Sequence, residues 1–331
     1  MNTLWRLIFF VTGILLFAWT LHSVGLEPLW LQIGTIGWRI MIVLAVYAVI
    51  FGLDTWGWHF AFPQKLTQSF RWRNLFGCRM AGEAINYVTP FAALGGEPIK
   101  AQLLNEHHRI SWSDGLASLI IAKTSFVIGL VVLILSGLGL ALWHSTLANP
   151  FKLLTLGLTL LLISLIGLFW ILQQRGLVRW IWRAIRALIP NLLLQKTSPH
   201  AGTKLNRKLT LFYRRDRNRF LLSVFFHFLG WTLGIVEVYL ILKFLGIEVS
   251  WGQAWILESL WQLVKALSFF IPAALGTQEG GSLVICTALG IGSSPGLALA
   301  LVRRFRELVW TGLGLLLCIW LTQPRKVLVA S

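Results

Sequence analysis

The fold is decided by two stretches of the sequence, Pro90-Phe-Ala-Ala-Leu-Gly-Gly-Glu97 and Pro272-Ala-Ala-Leu-Gly-Thr-Gln-Glu279. In each stretch a proline stops an apolar helix, Ala-Ala-Leu-Gly follows, and a glutamate comes seven residues after the proline. Proline removes a backbone donor, and glycine then permits an irregular backbone. Irregular backbone at membrane depth is tolerated only where protein or a water-filled cavity satisfies its polar groups. In a membrane protein, the two stretches therefore predict interrupted helices beside a polar cavity.

The composition indicates that the chain is a membrane protein. Hydrophobic residues make up 56% and charged residues 12% of its 331 residues, against about 45–50% and about 25% in soluble domains. These values exclude an ordinary soluble domain and a disordered chain, and three cysteines exclude a disulfide framework. We predict an all-α, polytopic transmembrane helix bundle of about eight membrane segments, including the two interrupted, re-entrant motifs. The bundle forms a single transmembrane domain over residues 1–331.

The individual spans are predicted from apolar runs, since a membrane-spanning helix needs about 20 mostly apolar residues. The first run resembles a signal peptide, but it lacks a small-residue cleavage site, and we interpret it as an uncleaved anchor. The predicted spans cover residues 4–21, 37–53, 115–142, 151–172, 220–245, 251–271 and, with interruptions, 280–321.

The charge distribution predicts the orientation in the membrane. Lys and Arg outnumber Asp and Glu by 29 to 12, and residues 173–219 carry twelve of the basic residues with one acid. In a soluble protein this excess would suggest nucleic acid, but here it fits the positive-inside rule better. We predict a basic cytoplasmic loop at 173–219, with both termini cytoplasmic and no nucleic-acid partner. Binding of anionic lipid head groups by this loop is an alternative role.

The two proline stretches belong to a longer repeat. Gly115 follows Glu97 by 18 residues and Lys123 follows by eight more, whereas the second copy reaches Gly296 and Arg304 at intervals of 17 and eight. By the predicted topology the two copies start from opposite sides of the membrane, which is typical of an inverted repeat. A chance match is the alternative, because Ala, Leu and Gly are common in membrane helices.

Charged residues within the apolar segments are the candidates for a site, since each costs about 2.5–3.5 kcal/mol at a helix centre. Glu97, Glu279 and Arg304 flank the breaks and favour a polar cavity. For Glu83, Glu237 and Lys265, structural ion pairs explain the charge equally well. For Arg303 and Arg306 we expect snorkelling toward an interface. The helices that begin near Glu97 and Gly280 present amides that suit an anion such as a phosphate, although a glutamate there also caps those amides.

At these motifs the chain resembles the flippase-like membrane proteins related to the transmembrane region of lysylphosphatidylglycerol synthase, and especially a branch associated with hopanoid biosynthesis. The resemblance covers nearly the whole chain, and it rests on Gly-Glu-Ala-Ile-Asn…Gly-Gly-Glu97 and on Leu-Gly-Thr-Gln-Glu279-Gly-Gly…Arg-Arg304-Phe-Arg-Glu307. It implies an inner-membrane protein that moves a lipid between leaflets. The family's polar residues fall on Glu83, Asn86, Glu97, Glu279, Arg304 and Glu307. The chain departs from many relatives at Ala122-Lys123, where they carry Glu-Arg.

The leading hypothesis is a lipid translocase for an anionic or phosphate head group, with membrane lipids as its partners. Arg304, with Lys123 or Lys265, attracts the phosphate; Glu97 and Glu279 balance these bases. Backbone opening is assigned to the residues of the breaks, namely Pro90, Gly95, Gly96, Pro272, Gly276, Gly280 and Gly281. The sequence has no ATP-binding loop, no metal-binding motif and no room for an aminoacyl-transferase domain, so we expect neither an enzyme nor a cofactor. The alternatives are a non-transporting scaffold for lipid-biosynthesis enzymes and an intramembrane lipid-modifying enzyme.

Overall fold

The structure is a computed structural model. It describes residues 34–68, 70–89, 95–143, 201–268 and 271–322, together with scattered positions between 153 and 164. The predicted span at 4–21, most of the predicted span at 151–172, Pro90 and the first part of the predicted loop at 173–219 lie outside the described residues.

Helices make up the described ranges, in which no strand occurs. Short 3-10 turns at Gly37–Arg39 and Pro272–Ala274 accompany the α-helices. The α-helices are α1 (Ile40–Phe60), α2 (Gln64–Thr67), α3 (Trp72–Val88), α4 (Glu97–His108), α5 (Trp112–Trp143), α6 (Ala201–Arg215), α7 (Arg217–Phe244), α8 (Trp251–Leu267), α9 (Thr277–Ala288) and α10 (Ser293–Thr322). The predicted all-α fold is confirmed.

Four helical stretches of the described chain are long and apolar enough to cross a membrane, and each is longer than the required 20 or so residues. They correspond to the predicted spans at 37–53, 115–142 and 220–245 and to the later part of 280–321. Their bounds are Gly34–Phe60, Trp112–Trp143, Arg217–Phe244 and Ser293–Thr322. The total of about eight segments stays a prediction.

Both predicted helix interruptions are present. The first follows α3, where Thr89 has an extended backbone with φ −95° and ψ 142°, as expected for a residue before proline. The second lies between α8 and α9, where Ala273, Ala274 and Gly276 all have positive φ values. At each break the following helix is short, and a long helix, α5 or α10, comes next.

The short helix α3 packs antiparallel on α10, the long helix of the other half of the chain. Near the end of α3, the Tyr87 hydroxyl lies 3.2 Å from Glu307. Nearer its start, Leu317 lies 3.8 Å from the position that a Cβ on Gly77 would take. Residue numbers therefore fall along one helix as they rise along the other.

The helix α8 packs in the reciprocal way on α5, the long helix of the first half. Trp255 Nε1 donates to the Ser136 hydroxyl at 3.1 Å, and the Ser259 hydroxyl donates to the Leu133 carbonyl at 3.0 Å. These pairs again run in opposite directions. Each interrupted helix is thus held by the long helix of the other half.

The preceding helices of the two halves, α1 and α7, are also antiparallel. The Ser223 hydroxyl donates to the Gly57 carbonyl at 2.8 Å, and His227 Nδ1 lies 2.9 Å from Asp54 Oδ1. The second contact is one turn later on α7 and one turn earlier on α1. The order α1, α3, α4, α5 is therefore repeated as α7, α8, α9, α10 with reversed direction. These directions agree with the predicted inverted repeat.

The end of the predicted basic loop is helical. Residues 201–215 form α6, and α7 begins at Arg217. The segment folds against the bundle because it is amphipathic: Phe212 is buried, and Lys208 lies 2.5 Å from Asp114 at the start of α5. Its placement on the cytoplasmic side stays a prediction.

Candidate functional site

A cavity of about 450 Å³ lies where the two halves of the chain meet. Side chains from α1, α3, α5, α7, α8 and α10 form its wall, together with the start of α4 and the break before α9. The lining combines aromatic rings, such as those of Trp58, Phe126 and Trp261, with many charged groups. Polar groups thus converge on an apolar concave space, which is the usual character of a ligand site.

The first group of charged side chains surrounds the break after α3. Lys100 Nζ lies 2.7 Å from Glu83 Oε1 and 2.9 Å from Glu97 Oε1. The Asn86 amide donates to both carboxylates at 3.2 and 3.3 Å. Its carbonyl oxygen accepts a bond of 2.7 Å from the Gly96 N–H. The predicted residues Glu83, Asn86 and Glu97 therefore form one hydrogen-bonded set across the interruption.

Of the three lysines that line the cavity in the described part of the chain, Lys123 and Lys265 are more accessible than Lys100. The side chain of Lys123 on α5 is 36% exposed and lies 3.6 Å from Glu97. The side chain of Lys265 on α8 is 43% exposed and lies 2.9 Å from Glu307. Lys100, by contrast, is only 4% exposed. Both accessible lysines line the cavity and come from different halves of the chain, so a ligand can reach a cation on each side.

Arg304 has a different environment from the one expected. Its Nε and Nη2 atoms donate to Glu279 at 3.0 and 2.6 Å, and its Nη1 donates to the Tyr87 hydroxyl and the Ala273 carbonyl at 2.7 and 2.8 Å. Its side chain is 1% exposed. Arg304 and Glu279 do not border the cavity. They lie in its wall, where they tie α9 and α10 to the break and to α3.

Another group of charged side chains lies between α7, α8 and α10. Arg306 forms an ion pair with Glu237, while Arg303 lies 2.5 Å from Glu258 and 3.6 Å from Glu237. All four side chains are buried. The expectation that Arg303 and Arg306 snorkel to an interface is therefore wrong, because buried carboxylates on neighbouring helices hold both guanidinium groups inside. The sequence allowed either structural ion pairs or a role in a polar cavity for Glu237, and the structure shows the ion pairs.

A further group of charged and polar side chains lies at the α1–α7 contact. Its residues are not among those predicted to bind or move the substrate. Asp54 accepts from Arg79 Nη2 through one oxygen and from His227 Nδ1 through the other, both at 2.9 Å. The helices approach closely here because Gly57 faces the imidazole: a Cβ on Gly57 would lie 2.6 Å from His227 Nε2. All three polar residues line the cavity.

Over the described ranges, the ion pairs of the cavity and its wall balance in charge. They join seven carboxylates and seven basic groups, namely Asp54, Glu83, Glu97, Glu237, Glu258, Glu279, Glu307, Arg79, Lys100, Lys123, Lys265, Arg303, Arg304 and Arg306. A buried charge without a partner destabilises a protein by several kcal/mol. The network avoids this cost because each of these charges has a partner of opposite sign.

The amides at the two breaks already have acceptors within the protein. The Gly96 N–H donates to Asn86, and the Gly276 N–H donates to Glu279 at 2.9 Å. The second helix, α9, starts at Thr277 rather than near Gly280. Glu279 therefore caps the amide at the start of α9, which is the alternative to anion binding given by the sequence.

The predicted hinge glycines have different local environments. Added Cβ atoms on Gly95, Gly96 and Gly281 would come within 2.3, 1.8 and 2.9 Å of neighbouring atoms, whereas Gly280 has nothing within 4 Å. Gly276 has a φ of 75°. Pro272 begins the 3-10 turn in the second break. Close packing and a left-handed backbone thus explain four of these glycines, and their role in opening stays a prediction.

Six of the eight residues predicted to bind or move the substrate line the cavity: Glu83, Asn86, Glu97, Lys123, Lys265 and Glu307. The lining residues outside this prediction include Asp54, Tyr87, Lys100 and His227. Asp54 directly follows the predicted span at 37–53, and His227 is a polar residue within an apolar run. Both residues could have been selected from the sequence, because a polar side chain in or next to a membrane-spanning segment is a candidate for a functional site.

Comparison with known proteins identifies the family. The family described as "Lysylphosphatidylglycerol synthase TM region" matches residues 4–314. A "UPF0104 membrane protein" of Methanothermobacter thermautotrophicus is 23% identical over an alignment of 246 residues, and the match covers 70% of this chain and 70% of that protein. No solved structure matches. The association with hopanoid synthesis is not tested by these matches and stays a prediction. The chain belongs to the family of the lysylphosphatidylglycerol synthase transmembrane region.

Proposed function

We propose that the protein moves a lipid between the leaflets of a bacterial cytoplasmic membrane by admitting the lipid's polar head group to the cavity. The acyl chains stay in the bilayer while the head group crosses. The protein acts as a translocase and not as an enzyme, needs no cofactor, and has membrane lipids as its partners. Its N-terminus, residues 173–219 and its C-terminus lie on the cytoplasmic side.

The observation that carries this proposal is the pair of accessible lysines. Lys123 and Lys265 reach one cavity from opposite halves, and each holds a glutamate that a phosphate can replace. The contact between Lys123 and Glu97, at 3.6 Å, is too long for a normal hydrogen bond. A phosphate oxygen within hydrogen-bond distance would therefore be a stronger partner for Lys123 than Glu97 now is. This exchange keeps the network paired, so the substrate is an anionic or phosphate-bearing head group.

The cavity has a suitable size and wall for a head group. Its volume of about 450 Å³ falls within the range of roughly 300–1,000 Å³ that is typical of small-molecule sites. This space holds a phosphate with its polar substituent and leaves two acyl chains outside. Trp231 and Trp261 add apolar surface to the wall, which suits the glycerol region of a lipid.

The inverted arrangement supplies a means of transport. Two interrupted helices of opposite direction border the cavity, and small movements of one half against the other would open it to each leaflet in turn. The sequence has no Gly-x-x-x-x-Gly-Lys-Ser/Thr loop for ATP. Transport is therefore downhill or coupled to an ion gradient.

The experiment is a leaflet-exchange assay with purified protein in vesicles. The probes are lipids with a fluorescent acyl chain: an anionic phospholipid, a zwitterionic phospholipid and a glycolipid with an uncharged sugar head group. A membrane-impermeant quencher reports the outer-leaflet fraction of each probe over time. We expect the protein to speed exchange of the phosphate-bearing lipids. We expect the double change Lys123→Gln and Lys265→Gln to slow this exchange at least tenfold.

The matched control is Lys208→Gln, which removes another partly exposed, ion-paired lysine that lies outside the cavity lining. This variant should transport at the wild-type rate. Equal rates for the wild type and the double lysine variant would contradict the role of the lysines. Exchange no faster than in protein-free vesicles would contradict the translocase, and a change in lipid mass would indicate an enzyme instead.

A further inference from the structure

We infer that His227 is a proton-binding site, and that it takes up one proton when an anionic head group enters the cavity. This inference rests on the proposed function, and it adds the coupling ion. The imidazole is 1% exposed and borders the cavity. None of the ion pairs assigned to head-group binding includes His227.

The hydrogen bond to Asp54 fixes the tautomer of His227. An ionised carboxylate has no proton to donate, so the contact of 2.9 Å between Nδ1 and Asp54 Oδ1 requires a proton on Nδ1. The neutral imidazole then has its lone pair on Nε2. Among the residues that the structure describes, no group donates to this buried nitrogen. His227 therefore presents a basic nitrogen that is ready to bind a proton, with a carboxylate behind it.

The ring is held in place by neighbours on two helices, α1 and α5. Gly57 on α1 leaves just enough space for the imidazole, since a Cβ there would overlap it. Phe126 on α5 meets the ring edge to face, with 5.4 Å between the ring centroids. A small movement of α1 or α5 therefore changes the access of water to Nε2.

Burial opposes a proton on His227, and the charged groups that face the ring act in both directions. Asp54 on α1 favours the imidazolium, but it already pairs with Arg79 from α3. Lys123 on α5 is a second cation near the ring, and its Nζ lies 5.8 Å from the Phe126 centroid.

On α8 and α10, Glu258, Arg303 and Arg306 gather near Glu237, about 15 Å along α7 from His227. Lys265 on α8 and Glu307 on α10 also line the cavity and pair with each other at 2.9 Å. The helix α6 presents the phenol of Tyr213 to Phe220, two turns before His227. Arg79 and Lys123 are thus the cations that a proton on His227 would meet.

An anionic head group at Lys123 shifts this balance toward the proton. Its negative charge lies beside the same pair of cations, so the imidazolium becomes favourable when the anion is bound. A hydronium ion in the cavity water gives up one O–H bond, the proton forms an N–H bond at the Nε2 lone pair, and a water molecule is left. The complex takes up one negative and one positive charge, which preserves the neutral network. By linkage, the proton favours the anion as much as the anion favours the proton.

The test is titration calorimetry of the purified full chain in detergent with dihexanoyl phosphatidylglycerol. Binding is measured in buffers of equal pH and different ionisation enthalpy, which gives the number of protons taken up. We expect close to one proton per bound lipid at pH values where His227 is neutral in the free protein and protonated in the complex. In this pH range, the affinity for the lipid falls by up to about tenfold per pH unit as the pH rises.

The variant His227→Asn retains a donor for Asp54 but has no titrating nitrogen, and we expect it to bind the lipid without proton uptake. His227→Gln serves as a second variant if the first does not fold. The control is His107→Asn, because His107 contacts the Leu321 carbonyl at 2.8 Å, away from the cavity lining. It should take up the proton as the wild type does.

The outcomes separate this inference from the proposed function. Lipid binding without proton uptake in the wild type, or undiminished uptake in both His227 variants, overturns the proton site and leaves the translocase standing. Absence of binding by any phosphate-bearing lipid overturns both. Inorganic phosphate that binds as tightly as the lipid indicates a soluble anion as the substrate and contradicts the translocase.

Discussion

Replacing Gly96 by alanine tests whether the first break is held by close packing rather than by freedom of the backbone. A Cβ at this position would lie 1.8 Å from the Gly82 carbonyl oxygen. Carbon and oxygen atoms in close contact are about 3.3 Å apart, so the start of α4 must move away from α3 by about 1.5 Å. This movement also breaks the bond of 2.7 Å between the Gly96 N–H and Asn86.

The overpacked contact and the lost hydrogen bond together determine how much the free energy of unfolding falls. Overpacking of a tight contact costs about 1–3 kcal/mol, and a buried polar group that loses its partner costs about 1–3 kcal/mol more. We therefore expect Gly96→Ala to lower the free energy of unfolding by about 2–5 kcal/mol. At about 2 °C per kcal/mol, the melting temperature should fall by about 4–10 °C.

The assay is thermal unfolding of the purified protein in detergent, followed by the fluorescence of its 18 tryptophans. Gly280→Ala is the matched control, because it lies inside α9 with nothing within 4 Å of an added Cβ. Alanine is favoured over glycine within a helix by about 0.5–1 kcal/mol, so this variant should melt at the wild-type temperature or above it. Equal melting of the two variants would refute the packing argument. Slow lipid exchange by a stable Gly280→Ala protein would instead support the hinge role predicted from the sequence.

Further changes test the ion pairs of the cavity wall. Arg303→Met leaves the Glu258 and Glu237 carboxylates short of a partner and should destabilise the protein by about 3–5 kcal/mol, measured by thermal unfolding. Adding Glu258→Gln should recover part of this loss, whereas a purely additive result would contradict the pairing. Tyr87→Phe removes the hydroxyl that lies between Arg304 and Glu307. It should cost about 1.5–3 kcal/mol of unfolding free energy, and an unchanged melting temperature would contradict that contact.

The sequence predicted the interrupted helices because their causes are local. Proline ends or excludes a helix and glycine permits an irregular backbone, whatever the rest of the chain does. The predicted bound was less accurate in the second break, where α8 ends at Leu267, before the predicted end at 271. The spacing from Glu97 to Lys123 predicted a repeat, and the charges of both residues made them site candidates; the structure places both on the cavity lining.

The partners of the charges were not predictable, because they depend on helix packing between distant segments. Arg304 was expected to face the substrate, but it lies in the wall since Tyr87 and Glu279 meet it there. Asp54 and His227 are 173 residues apart and come together only through the α1–α7 contact. The hydropathy pattern indicates which segments are apolar, but it does not indicate which faces of the helices meet.

The central claim is that a lipid head group enters the cavity between the two halves. The most direct measurement uses a phospholipid with a photoreactive group on its head group alone, cross-linked to the protein in vesicles and located by mass spectrometry. The account predicts cross-links on α5 near Lys123 and on α8 near Lys265, which an excess of unlabelled lipid suppresses. Cross-links confined to the exposed apolar side chains, such as Leu316 and Trp320, would contradict it.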